Sequence, residues 1–236
     1  TRSLSSAASD VYKRQIHQTL WPDSAPEFSN IANLWPEDMV NEMLALVWDG
    51  FDRLNRGKLC RVDFTQDYEQ IERSLTELHS IEIQTLWAQR TSGFAAYIQV
   101  HESWDWESRS SARAIPPSID IGFLLRSNER IRFPVEAKLL ETVARTAPFI
   151  KDLTDKLLAG KGAVFTTKGA LVGYLRSGNP SAVFPEIETA LDVKLLASDH
   201  FSARPHRQSV HQRSKEVLKA GVPSNFECHW MIMGLS

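Results

Sequence analysis

The chain has 236 residues, of which 42% are hydrophobic and 24% charged, a composition typical of a globular protein with a sizeable core. Its formal net charge of -2 lacks the overall basic excess that is typical of nucleic-acid-binding proteins, but it is compatible with a local basic patch. The two cysteines, Cys60 and Cys228, form no zinc-ligand pattern, and no apolar run reaches the length of about 18 residues that a membrane span needs. We therefore expect a cytoplasmic protein without a disulfide framework or a membrane segment.

Three regions follow from the distribution of residue types along the chain. Residues 1–15 are polar, rich in Ser and Ala and without periodicity, so we expect a non-native or disordered head there. Residues 16–65 are predicted to form a helical arm. Residues 66–236, which carry the strand-like segments, are predicted to form one α/β domain.

Helical spacing of apolar residues predicts two helices before the first strand. The first covers about residues 37–55, and follows Pro36 with the acids Glu37 and Asp38 in its first turn. The second covers about residues 67–89, with Thr65 or Asp67 as its cap. A strand rich in aromatic and β-branched residues is then predicted at 94–100. The polar residues that follow it, 101–117, are predicted to form a loop.

A β-hairpin is the next predicted element. Residues 119–125 and 131–139 each alternate between apolar and polar or small side chains, and a short polar turn separates them. Because side chains alternate between the faces of a strand, Asp120 lies on one face of the first segment. Glu136 and Lys138 share the corresponding face of the second.

The order of the remaining elements is read from the same patterns. Pro134 cannot donate a ladder hydrogen bond, so it indicates an edge or a bulge within the hairpin. Beyond the hairpin we expect, in order, a helix over 141–159, a strand over 169–175, a helix over 180–191, a basic loop over 200–219 and a final strand over 226–233.

The hairpin brings charged groups of opposite sign together. A turn centred between residues 128 and 129 places Asp120 opposite Ala137, with Glu136 and Lys138 on either side. Cross-strand neighbours have Cβ atoms about 4.5 to 8 Å apart, so two carboxylates and an ammonium group converge. Hard carboxylate oxygens suit Mg²⁺ (or Mn²⁺), which typically takes one or two carboxylates together with waters and phosphate oxygens.

The segment I-D-I-G-F-L-L followed by F-P-V-E-A-K resembles the PD-(D/E)xK nuclease superfamily. Asp120 matches the first acid of its motif, Glu136 the second acid and Lys138 the lysine, whereas Pro116 and Pro117 are not adjacent to Asp120. The predicted order of elements over residues 67–175 also follows the αβββαβ core of that superfamily, over about half of the chain.

This resemblance implies a restriction-endonuclease-like fold, a mixed sheet flanked by helices, and a Mg²⁺-dependent nuclease that hydrolyses DNA. Asp120 and Glu136 would hold the metal, and Lys138 would orient the attacking water. The implied setting is restriction, repair or phage defence, as a homodimer or with a defence-system partner protein.

Members of the superfamily often add an acid from the helix before the sheet. Glu69, Glu72 and Glu77 are the candidates here, and Glu69 is preferred among them; solvated helix charges are the alternative. The predicted basic loop offers Arg204, Arg207, Arg213 and Lys215 as contacts to DNA phosphates, or else as an ordinary solvated surface.

Three other interpretations stay open. The hairpin charges could simply face water, as charges on exposed strand faces often do. The chain could be a catalytically silent nuclease-fold subunit that binds nucleic acid or a partner protein. It could also be a scaffold protein whose helical arm makes a dimer.

Overall fold

The structure is a computed structural model that describes residues 35–90, 98–104, 118–125, 128–160, 166–213 and 224–235. The predicted head lies outside these residues. The helices are, in chain order, α1 (Glu37–Gly57), a 3-10 helix (Leu59–Arg61), α2 (Tyr68–Gln89), α3 (Ala147–Asp152) with a π-helical turn (Leu153–Leu157), a 3-10 helix (Pro180–Ala182) and α4 (Val183–Leu191). The strands are β1 (Ile98–Trp104), β2 (Ser118–Leu125), β3 (Asn128–Leu140), β4 (Lys168–Leu175), β5 (Leu196–Ala197), β6 (His206–Gln212) and β7 (Asn225–Gly234).

Helices α1 and α2 confirm the two helices predicted from apolar spacing. Glu37 and Asp38 lie in the first turn of α1, where carboxylates are favoured by the helix dipole. Asp67 caps α2, since its side chain accepts a hydrogen bond of 2.9 Å from the backbone N–H of Gln70. The cap satisfies one of the free N–H groups at the start of the helix.

The described strands form one mixed sheet in the order β1-β2-β3-β4-β7-β6-β5. Strands β3, β4 and β7 are parallel in the centre, and the pairs on either side are antiparallel. The parallel connection from β3 to β4 passes through α3, as parallel neighbours require a crossover. The predicted fold class is confirmed at the level of a mixed α/β sheet flanked by helices.

Helices cover both faces of the sheet. One core cluster joins apolar residues of α1 and α2 to Phe123, Val135 and Tyr174. The other joins α3, its π turn and α4 to Leu140 and Trp230. Helix α1 therefore packs into the same core as the sheet, while the division of the chain between residues 65 and 66 stays a prediction.

The predicted hairpin is confirmed, but its register differs by one residue. Phe123 pairs with Phe133 and Ile121 with Val135, one residue away from the predicted pairing, and the regular ladder ends there, before Asp120. The physical reason is an irregularity between Leu124 and Leu125, which shifts the pairing next to the turn. Pairing of β3 with β4 begins one residue after Pro134, which agrees with the edge predicted there.

Three predicted boundaries are wrong. Residues 101–104 belong to β1 and not to a loop, and the helix predicted from residue 141 begins at Ala147. Strand β6 occupies the middle of the predicted basic loop. No helix in the described part of the chain is long and apolar enough to span a bilayer.

A buried histidine joins α1, α2 and β4 behind the site. Nε2 of His79, on α2, lies 2.8 Å from the carbonyl oxygen of Val47, so this nitrogen carries the proton and donates it. Nδ1 then accepts a hydrogen bond of 2.8 Å from the hydroxyl of Tyr174 on β4. Burial lowers the pKa of His79 to about 4, because the imidazolium form would lose its hydration.

Candidate active site

Strands β2 and β3 separate at Asp120. The last pair of their regular ladder joins Ile121 to Val135, whereas Ile119 of β2 stays paired with β1. Beyond this point the backbone N–H of Ala137, on β3, donates a hydrogen bond of 2.8 Å to Oδ2 of Asp120. This contact holds Asp120 between the residues that precede and follow Ala137, which are Glu136 and Lys138.

Glu136 is almost fully buried, with 1% of its surface exposed. Its Oε2 accepts a hydrogen bond from the ammonium group of Lys156, on the π-helical turn. Burial and the nearby charge of Asp120 raise the pKa of Glu136 to about 8, against the opposing effect of Lys156. A carboxyl group in this position binds a proton more readily than one in water.

Lys138 is held by a carboxylate from the helix on the opposite side of the sheet from α3. Its Nζ donates a hydrogen bond of 2.6 Å to Oε1 of Glu72, and the other oxygen of Glu72 accepts one of 2.9 Å from the backbone N–H of Leu139. Tyr68, four residues earlier on α2 and thus on the same helix face, donates its hydroxyl proton to the carbonyl of Leu139. Helix α2 is in this way fastened to the end of β3.

Asp152 completes the cluster from α3. Its Oδ2 lies 3.4 Å from Nζ of Lys138 and 3.3 Å from Nζ of Lys156. The same oxygen is buried and has no hydrogen-bond partner. Burial lowers the pKa of Lys138, but its pairing with Glu72 and the charge of Asp152 outweigh that effect and shift the pKa upward. Lys138 therefore carries its proton at neutral pH.

The interpretation in which these charges face water does not hold for Glu136, which is buried under α3. Asp120 and Lys138 are partly buried. The helix acid that reaches the cluster is Glu72, whereas Glu69 and Glu77 are exposed on α2, so the preference for Glu69 is wrong. The register of α2 on the sheet decides this, and apolar spacing alone does not define it to one residue.

Oxygen atoms are the only donors that the cluster offers to a metal. Within the described residues, no group of three or more His, Cys, Asp or Glu side chains is arranged to hold a metal ion. Asp120 and Glu136 offer carboxylate oxygens, and Oδ2 of Asp152 is buried without a hydrogen bond. Carboxylate oxygens are hard ligands of the kind that Mg²⁺ and Mn²⁺ accept.

Two of the predicted DNA contacts, Arg204 just before β6 and Arg207 on it, contact the protein itself. The guanidinium of Arg204 donates two hydrogen bonds, of 2.9 and 2.5 Å, to the carboxylate of Asp52 on α1. The guanidinium of Arg207 lies 5.0 Å from the ring centroid of Phe184. Both side chains thus connect the β6 end of the sheet to helices.

Arg213 is buried, with 3% of its surface exposed, and donates a hydrogen bond of 2.7 Å to the carbonyl oxygen of Thr166. Burial lowers its pKa to about 10. Lys215 lies outside the described residues. That these four side chains contact DNA stays a prediction, and the geometry of the three described ones adds no support to it.

Sequence reasoning did not single out Asp152 or Lys156. Both lie in the helix that was predicted over 141–159, beside the apolar residues Phe149 and Leu153 that face the sheet. An acid and a lysine four residues apart at the margin of an apolar stripe are a weak signal, because such pairs are common on solvated helix surfaces. Their burial against β3 is what distinguishes them here.

No family model, curated protein or solved structure matches the chain.

Proposed function

We propose that the chain is a Mg²⁺-dependent nuclease that hydrolyses phosphodiester bonds of DNA, built on a restriction-endonuclease-like core. The observation that carries the proposal is the convergence of Asp120, Glu136 and Lys138 at the point where β2 and β3 separate. Two acids that can bind a divalent cation, with a lysine beside them, can supply the groups for metal-dependent hydrolysis of a phosphodiester.

The order of elements supports the proposed core. Helix α2, strands β1, β2 and β3, helix α3 and strand β4 follow one another as in the αβββαβ arrangement, with β4 added parallel to β3. The first acid lies on β2, and the acid and lysine separated by one residue lie on β3. Glu72 adds the carboxylate that such nucleases often take from the preceding helix.

The donor set fits a hard divalent cation. Asp120 and Glu136 supply two carboxylates, which is sufficient for Mg²⁺ where water and substrate oxygens complete the coordination. When bound, Mg²⁺ would polarise the scissile phosphate and lower the pKa of a water molecule.

The protein's own groups have distinct roles in this proposal. Asp120 and Glu136 bind the cation, and the hydrogen bond from Ala137 fixes the orientation of Asp120. Lys138 donates hydrogen bonds toward the attacking water and the phosphate, whose negative charge grows in the transition state. Glu72 orients Lys138 and is therefore a positioning residue.

One observation favours a second candidate, a catalytically silent nuclease-fold subunit that binds nucleic acid or a partner protein. Lys156 already contacts the buried carboxyl group of Glu136, so this acid has a partner within the chain without a metal. In that case the cluster would serve only to hold α2 and α3 on the sheet.

Incubation of the full chain with supercoiled plasmid separates the two candidates. We expect nicking or linearisation with Mg²⁺ or Mn²⁺ and none with EDTA, and Lys138→Ala should lower the rate by roughly 100-fold or more. Lys151→Ala is the matched control, because Lys151 is exposed on the same helix as Asp152. Intact plasmid with either metal, from protein whose circular dichroism shows it to be folded, would contradict the nuclease and favour the silent subunit.

A further inference from the structure

Lys156 lies where a cation bound to Glu136 would lie. Its ammonium group contacts Oε2 of Glu136, the carboxylate that the proposed function assigns to the metal. Glu136 is 1% exposed, so it cannot exchange one cationic partner for bulk water at little cost. A divalent cation that binds Oε2 of Glu136 must therefore displace Lys156.

Asp152 offers Lys156 a second partner. Nζ of Lys156 is already 3.3 Å from Oδ2 of Asp152, one helical turn earlier. This oxygen is buried without a hydrogen bond. Only a small movement of the lysine side chain separates a hydrogen bond to Glu136 from a hydrogen bond to Asp152.

The charge of the cluster matches one divalent cation. Four carboxylates belong to it, those of Glu72, Asp120, Glu136 and Asp152, and they face the two ammonium groups of Lys138 and Lys156. With all groups ionised, the cluster carries an excess of two negative charges. A divalent cation can therefore enter without expelling either lysine from the cluster.

The backbone that carries Lys156 is also unusual. Residues Leu153–Leu157 form a π-helical turn, closed by a hydrogen bond of 2.8 Å from the N–H of Leu158 to the carbonyl of Leu153. Single π turns within helices are rare, and a large share of those that occur lie at functional sites. The wider turn lies at the residue whose side chain reaches Glu136.

We propose that Lys156 is a positioning residue, an internal counter-ion that occupies Glu136 until a divalent cation binds there and that then transfers to Asp152. This inference rests on the proposed function, because it takes Glu136 as a metal ligand. It concerns which group is paired with the carboxylate of Glu136 in the absence of metal, and which lysine competes with the metal for it.

Calorimetry of Mn²⁺ binding at one fixed alkaline pH tests the competition directly. Lys156→Met removes the competitor and should tighten Mn²⁺ binding about tenfold or more, the equivalent of one charge-assisted hydrogen bond. Lys156→Arg keeps a cation opposite Glu136 and should bind Mn²⁺ close to the wild-type affinity. Lys151→Met is the control for the loss of one positive charge on the same helix, and should change the affinity little.

The second arm tests the transfer to Asp152. Asp152→Asn leaves Lys156 without its second anionic partner, so Mn²⁺ binding should weaken relative to wild type, and this comparison does not depend on the folding of Lys156→Met. The electron paramagnetic resonance spectrum of free Mn²⁺ gives the same affinities independently. Glu136→Gln should abolish binding in every background.

Unchanged or weaker Mn²⁺ binding by folded Lys156→Met would overturn the inference, as would unchanged or tighter binding by Asp152→Asn, or no binding by any variant. Tighter binding by Lys156→Met without cleavage of plasmid by any variant would uphold the counter-ion role and contradict the nuclease. Tighter binding by both Lys156→Met and Lys151→Met would also overturn it, because a general charge effect would then explain the result.

Discussion

Replacement of His79 by Gln tests how the layers behind the site are held together. His79 is fully buried, and both of its ring nitrogens have partners, the carbonyl of Val47 on α1 and the hydroxyl of Tyr174 on β4. The bond at Nδ1 requires the neutral ring, because a protonated nitrogen cannot accept a hydrogen bond. Protonation in the native state would place a positive charge on Nδ1, which faces a hydroxyl that now donates to it.

The sign and size of the effect follow from the lowered pKa. Burial moves the pKa of His79 from 6.5 to about 4, so between these values the unfolded chain binds a proton that the native state does not. The stability that this group contributes is present above pH 6.5 and is lost as the pH falls toward 4. Each pH unit in this window costs up to about 1.4 kcal/mol, so about 2 kcal/mol is lost between pH 6.5 and 5.0.

Urea unfolding at pH 6.5 and 5.0, in EDTA, measures this loss. Gln does not titrate, so the advantage of the wild type over His79→Gln should shrink by about 2 kcal/mol at the lower pH. His200→Gln, at an exposed histidine, is the matched control for the loss of one imidazole. A difference between the wild type and His79→Gln that is the same at both pH values would refute the reasoning.

Three further predictions concern stability. Burial raises the pKa of Glu136 to about 8 in the metal-free protein, so the stability that this group contributes is complete at acid pH and is lost as the pH rises toward 8. Urea unfolding at pH 6 and 8 should show a lower free energy of unfolding at pH 8 for the wild type, by up to about 1.4 kcal/mol per pH unit, and no such decrease from this group in Glu136→Gln. Gly50→Ala would bring a Cβ to 2.6 Å from Cγ1 of Ile83 and should cost about 1 to 3 kcal/mol in the same assay, whereas Gly57→Ala, with nothing within 4 Å, should be neutral or stabilising. Asp67→Ala removes the cap of α2 and should lower the free energy of unfolding by about 1 kcal/mol, and an unchanged value would mean that the cap contributes nothing.

Much of the fold could be predicted from residue patterns. The helices α1 and α2, the β2–β3 hairpin and the strands β4 and β7 follow from spacing and alternation, because each buries a regular apolar face. Strand β6 could not be predicted in this way. Its buried positions include Ser209 and His211, while Val210 is exposed, so the usual alternation is inverted.

The buried polar side chains of β6 are tolerated because the tertiary structure provides their hydrogen bonds. Oγ of Ser209 lies 2.6 Å from Nε2 of His211 and accepts a hydrogen bond of 2.7 Å from the indole N–H of Trp230, on the neighbouring strand. A polar sequence that is satisfied only by long-range partners looks like a solvated loop when it is considered alone.

The candidate site divides in the same way. The period of two along a strand was enough to place Asp120, Glu136 and Lys138 on one face of a hairpin, since alternation is a local property of the backbone. The identity of the helices that cover the end of β3 depends on long-range packing. Only the tertiary structure therefore decided that Glu136 is buried and that Lys156 is its partner.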